Sequence, residues 1–176
     1  KSQWIMHTSR GDFGDFAVEV DMTAQQPHGC AGLVLRVREE GNQYYTFNVC
    51  TDGNYSFDKL ESYEDEQSEW ATLHTWETSE HIRTGAATQH LRVIGVDNAF
   101  WLYANDQLLA HVVDNDAPFD QGAIGMQVTN FGGEATETDG ADEMDEIEET
   151  PVTYTFDNLQ IYVPEASTED EPSNEK

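Results

Sequence analysis

Residues 29–60 read GCAGLVLRVREEGNQYYTFNVCTDGNYSFDKL, and the alternation within them predicts three antiparallel strands joined by two tight turns. Leu33, Leu35 and Val37 share one face of the first strand, and Tyr45, Phe47 and Val49 share one face of the second. Only an odd loop keeps those sets together. A three-residue loop Glu39-Glu40-Gly41 sets Leu35 across from Tyr45 and Leu33 across from Phe47, whereas a slip of one residue sets Leu33 against Asn48 and mixes the faces. Such a loop ends on a residue at positive φ, which glycine adopts without steric cost, and Gly41 stands third. Thr51-Asp52-Gly53 repeats the device, aligning Val49 with Tyr55 and Phe47 with Phe57. The same register places Cys30 across from Cys50. Opposed Cβ atoms in a non-hydrogen-bonded pair lie about 4.5–5.5 Å apart, a small adjustment from disulfide geometry, so a Cys30–Cys50 bridge is predicted. The competing reading is two unpaired thiols in an intracellular protein.

With 176 residues, one domain is expected, large enough to bury its own core. The composition is globular, but Asp and Glu number 35 against 8 Lys and Arg, for a formal net charge of −27. Nucleic acid and anionic membrane surfaces would be repelled. Nineteen of the 35 acids fall in three runs: residues 61–69, residues 134–149 and the tail from Glu165. Such runs read as solvated surface, as cation-binding loops, or as a surface adapted to high salt, a reading the scarcity of lysine favours. No apolar run is long enough to span a membrane. The N-terminal KSQWIMHTSR lacks the apolar core of a signal peptide, so export would imply a processed or trimmed chain.

Along the chain, residues 3–7 form a candidate edge strand, and Phe16, Val18, Val20 and Met22 alternate inward against outward Asp15, Glu19, Asp21 and Thr23. After Leu60 an acidic surface loop is expected, then a strand of mixed pattern over residues 70–76 and a connection over 78–88 with room for one helical turn. Strands follow at 90–95, 100–104, 108–113 and 123–129, the third entered through a tight Asn105-Asp106 turn. Residues 134–149 read as a polar, turn-rich segment. Val152, Tyr154 and Phe156 alternate into Leu159, Ile161 and Val163 across a bulge at Asp157-Asn158. The result is all-β, with a domain over residues 1–164 and an acidic disordered tail over 165–176.

Several sequence words, in order, resemble bacterial extracellular domains of the concanavalin A-like lectin and glucanase superfamily, close to laminin-G-like domains and to the domain named for 3-keto-disaccharide hydrolases. They are Gly32-Leu33-Val34-Leu35-Arg36, Tyr44-Tyr45, Asp52-Gly53-Asn54-Tyr55, Trp70 to Trp76, Leu91-Arg92-Val93, Leu102-Tyr103-Ala104-Asn105, Gly122-Ala123-Ile124-Gly125 and Phe156-Asp157-Asn158-Leu159. The resemblance spans residues 13–163 and implies a jelly-roll β-sandwich of two antiparallel sheets, in an extracellular or cell-surface setting. Family members carry a further strand ahead of the one at Phe16, beside the C-terminal strand. Here only residues 1–8 could supply it, so the edge of the strand at 152–163 is a candidate for pairing with a neighbouring chain.

Site chemistry is sparser. Glycosidases need carboxylates about 5–5.5 Å or 6.5–9.5 Å apart. Glu19-Val20-Asp21-Met22-Thr23 offers two acids of the three the resemblance implies, and both equally suit the wet side of a strand. The six histidines show neither nucleophile-triad context nor metal-ligand spacing. Sugar binding would use exposed rings with polar groups nearby. Trp70 and Trp76 are candidates. So are Trp101 and Tyr103, which alternate with Phe100, Leu102 and Ala104, so that one set faces outward unless the rings fill the core. Arg36, expected opposite Tyr44, either contacts a ligand with that ring or pairs with a carboxylate and stacks on it. Asp114, Asp116 and Asp120 lie on a short loop that could gather oxygens around calcium, as rims of laminin-G-like domains do, although the spacing is not that of a twelve-residue calcium loop. The reading is a non-catalytic, lectin-like recognition or adhesion domain binding a glycan or surface protein. A structural subunit self-associating through sheet edges is the alternative, and a glycan-acting hydrolase the third.

Overall fold

The computed structural model describes residues 3–38, 41–64, 67–130 and 151–164. Among the described residues eleven strands follow in order: β1 (Gln3–Thr8), β2 (Phe16–Ala24), β3 (Cys30–Arg38), β4 (Gln43–Cys50), β5 (Asn54–Glu64), β6 (Gln67–Thr78), β7 (Thr88–Val96), β8 (Ala99–Ala104), β9 (Gln107–Val113), β10 (Ala123–Asn130) and β11 (Tyr154–Tyr162). They form a six-stranded sheet, β1-β10-β3-β4-β5-β6, and a five-stranded sheet, β11-β2-β7-β8-β9, with every pairing antiparallel. The architecture is a jelly-roll β-sandwich. Among the described residues no helix is long and apolar enough to cross a membrane.

The core forms where the two alternating patterns meet. Phe16, Val18, Val20 and Met22 of β2, Leu91 and Val93 of β7, and Phe100 and Leu102 of β8 pack against Leu33, Leu35, Tyr45, Phe47 and Phe57 of the other sheet. The central register is as read from sequence: Leu35 faces Tyr45, Leu33 faces Phe47, and Phe47 in turn faces Phe57. Gly41 and Gly53 adopt φ values of 96° and 93°, as their turns require. Cys30 and Cys50 are direct cross-strand partners and form a disulfide. The turn at Asn105-Asp106 has both residues at positive φ, the geometry of a type I′ hairpin. The bulge in β11 falls between Asp157 and Gln160, with Asn158 at φ 54°.

Four local expectations are revised. The β3–β4 ladder slips between Leu35 and Arg38, so that Arg38 pairs with Gln43, and the connection is longer than three residues; Glu39 and Glu40 lie outside the described residues. The cause is Arg36 at φ 50°, a β-bulge that turns its side chain to the opposite face. The stretch after Leu60 is not a loop, since β5 and β6 continue as a ribbon to the Glu64–Gln67 pair. The connection after β6 contains turns and no helical turn. Finally, β1 pairs with β10 in the six-stranded sheet, not with the C-terminal strand; among the described residues β11 pairs with β2 alone and forms the edge of its sheet. The expected acidic segment at 134–149 and the tail at 165–176 lie outside the described residues.

Candidate functional site

The outer face of the six-stranded sheet carries a groove of ≈ 520 Å³ over strands β10, β4, β5 and β6. Its floor follows from register. Gln127, Gly32, Asn48 and Ser56 stand in one cross-strand row, with Thr46 and Asp58 in the next. Alternation turns these residues away from the inward-facing Leu33, Tyr45, Phe47 and Phe57 of the same strands. Gly32 is the keystone of the row. A Cβ there would lie 1.8 Å from the Phe47 carbonyl oxygen, and its absence leaves Gln127 able to reach across β3 to β4.

The floor side chains hydrogen-bond in one direction. The Gln127 amide donates to Thr46 Oγ1 and, at 2.7 Å, to Asn48 Oδ1. Thr46 donates to Asn48 Oδ1 at 3.1 Å, Asn48 Nδ2 donates to Ser56 Oγ at 3.2 Å, and Ser56 donates to Asp58 Oδ2 at 2.7 Å. Thr46, Asn48, Ser56 and Gln127 are all buried, so their mutual pairing meets the requirement that buried polar groups be satisfied. Asp58 is half-buried, and desolvation raises its pKa above the ordinary carboxylate value, against the opposing pull of hydrogen bonds from Ser56, Thr72 and Asn48 and of the charge of His74.

Aromatic rings border this floor. Trp70 and Trp76 line the groove and are 48% and 45% exposed, with half-exposed Tyr63 beside them. Tyr44 is buried beneath, its ring 5.8 Å from that of Trp70 in an edge-on contact, and burial raises its phenol to about 12. Tyr44 therefore props Trp70 as part of a small apolar cluster with Val34 and Leu60. Of the residues singled out from sequence, the groove brings together Trp70, Trp76 and Tyr44.

The others lie elsewhere. Trp101 and Tyr103 are half-buried on the outer face of the five-stranded sheet, Trp101 stacked on His111 at 4.5 Å and Tyr103 under the Arg92 guanidinium at 4.6 Å. Arg36 is corrected more sharply. It is 0% exposed, turned by its bulge between the sheets, where it donates to the carbonyls of Gly14, Asp97 and Phe119 and lies over the rings of Phe16 and Phe100. It neither stacks on Tyr44 nor reaches the groove; it ties three loops at one end of the sandwich.

Asp114, Asp116 and Asp120 are not brought together. Asp114 is buried, its Oδ2 accepting from Tyr45 at 2.8 Å and paired with the Lys59 ammonium at 3.0 Å, its Oδ1 accepting from the Asp116 amide. Lys59 also donates to the Asp116 and Ala117 carbonyls. Asp120, 82% exposed, sits beside Arg38. The oxygens that do converge here already surround an ammonium, so this loop does not fit a calcium ion. Among the described residues no group of three or more His, Cys, Asp and Glu side chains is arranged to hold a metal.

Glu19 and Asp21 sit on the outer face of the five-stranded sheet, bridged by His90: Nδ1 to Asp21 is 2.8 Å and Nε2 to Glu19 is 3.9 Å. Hydrogen bonds from Asn158 and then His90 hold Asp21 below the ordinary carboxylate value. The groove residues missed by sequence reading were Thr46, Asn48, Ser56, Asp58 and Gln127. The one signal available was that small polar side chains alternate with core residues on β4 and β5.

No family model and no curated protein matches the sequence. Solved structures do. The carbohydrate-binding module CBM66 from Bacillus subtilis superposes with a TM-score of 0.61 at 18% identity, covering 90% of this chain and 81% of that one. Sheep galectin-11 follows with 0.55 at 10% identity, over 90% and 96%. The Bacillus licheniformis β-glucanase gives 0.54 at 16% identity, over 90% and 71%. The fold is therefore the concanavalin A-like jelly roll of lectins and glucanases.

Proposed function

We propose that this chain is a non-catalytic, extracellular glycan-recognition domain that binds carbohydrate in the groove of its six-stranded sheet and serves adhesion or recognition at a cell surface. The observation that carries the reading is the pairing of two half-exposed tryptophans with a floor of hydrogen-bonded amides and hydroxyls on one concave surface. Apolar sugar faces stack on such rings while hydroxyls pair with the floor. The structural likeness to a carbohydrate-binding module and a galectin points the same way. The Cys30–Cys50 bridge favours an oxidising compartment.

Hydrolysis is the weaker reading, because among the described residues Asp58 is the one carboxylate that lines the groove and glycosidase chemistry needs a facing pair. A structural subunit remains the second reading, favoured by exposed Leu159, Tyr162 and Val163 at the β11 edge. A glycan array followed by a hydrolysis assay tests the proposal. Binding without product release supports it. Binding nothing, together with concentration-dependent self-association on size exclusion, favours the subunit.

A further inference from the structure

The direction of the floor's hydrogen bonds, not only its composition, restricts what the groove can hold. Both amide hydrogens of Gln127 are spent, on Thr46 and Asn48. The hydroxyl hydrogens of Thr46 and Ser56 are spent on Asn48 and Asp58. The donors of Gln127, Thr46 and Ser56 are thus consumed within a chain that terminates on a carboxylate, and these three residues offer a ligand mainly lone pairs. A carboxylate has about four acceptor positions, so Asp58 retains capacity beyond its present partners.

Charge points the same way. Among the described residues no Lys or Arg lines the groove. On the same sheet, Lys59 and Arg36 are buried on the inner side and committed to loop carbonyls and Asp114, and Arg38 lies beside Asp120 and over the Phe119 ring. Arg92 lies on the other sheet over Tyr103. A sulfated or uronic glycan would bring acceptors and negative charge to a floor of acceptors and a carboxylate, in a chain of net charge −27. An ammonium group brings donors only, and tryptophan faces attract cations.

We propose, resting on the glycan-recognition reading above, that the groove is selective for an amine-bearing sugar chain and that Asp58 is the residue that reads its ammonium group. Asp58 is a specificity determinant, and Trp70 and Trp76 supply the binding surface shared with neutral sugars.

The test titrates the whole chain, at neutral pH, with glucosamine oligomers, their N-acetylated counterparts, cello-oligosaccharides and oligogalacturonates of equal length, each at low and high salt. Glucosamine oligomers should bind about 10-fold more tightly than the neutral ones, a difference worth about 1.4 kcal/mol, and oligogalacturonates most weakly. Asp58→Asn, which keeps the shape and removes one charge, should level the amine and neutral oligomers. Trp70→Ala should abolish both. Amine preference that survives Asp58→Asn, or amine binding that survives Trp70→Ala, would mark unspecific attraction to the acidic surface and overturn the proposal. So would neutral oligomers binding as well as amines, although Trp70-dependent neutral binding would leave the recognition reading standing. Binding of none of the probes defeats both.

Discussion

Gly32 shows how much one missing side chain can decide. A methyl group there would collide with the Phe47 carbonyl, forcing β3 and β4 apart at the middle of the groove floor. Gly32→Ala is expected to destabilise the fold by about 1–3 kcal/mol, as overpacking does, and to weaken ligand binding, both measurable by denaturant titration and calorimetry. Lys59 is a second single-residue commitment. It and Asp114 are both buried, so Lys59→Ala leaves a carboxylate without its cation and should cost about 3–5 kcal/mol, while chelators should leave the wild-type melting temperature unmoved. Asp58 behaves oppositely. Its raised pKa means the folded chain holds that proton more tightly than the unfolded chain, so ionised Asp58 disfavours folding at neutral pH and this cost is relieved as pH falls through the raised value. Asp58→Asn should therefore be neutral or stabilising near pH 7 and should flatten that part of the pH–stability profile. Arg36 shows what sequence conceals at this scale. An arginine at positive φ is invisible to alternation, and only the bulge it makes moves it from the outer face to the interior.

At the scale of elements, the β3–β4–β5 register was legible from the hydrophobic pattern and the Gly53 turn, and the cysteines could then meet only across the ladder; the β3–β4 connection is one residue longer than read, and the bulge at Arg36 absorbs the difference. The bridge separates its ends by 20 residues, and reduction should cost about 3 kcal/mol by loop entropy. A melt in reductant against one without it measures this. The groove floor was not legible, since Gln127, Asn48, Ser56 and Asp58 come from three strands and become neighbours only after β10 docks beside β3. The partner of β1 was hidden for the same reason: which edge a short terminal strand joins is decided by contacts far away in sequence. β6 read as mixed because a bulge between Thr72 and His74 carries its side chains from one face to the other.

For the whole molecule, the two sheets present two aromatic surfaces, one built around Trp70 and Trp76 over a polar floor, the other around Trp101 and Tyr103 with His111 and Arg92. A net charge of −27 should make stability climb as sodium chloride screens like charges, with the melting temperature lowest in dilute buffer; a melt indifferent to salt would show the acids far enough apart to be harmless. Jelly-roll architecture was readable from strand spacing and order, but which aromatic surface faces a concave, polar-floored groove was settled only by the sheet order. The most direct measurement is therefore a tryptophan-fluorescence titration with neutral and amine-bearing oligosaccharides, run in parallel on wild type, Trp70→Ala and Trp101→Ala. Saturable binding that Trp70→Ala abolishes and Trp101→Ala leaves unchanged is the predicted result. Binding that depends on Trp101 and survives Trp70→Ala would contradict the assignment of the groove.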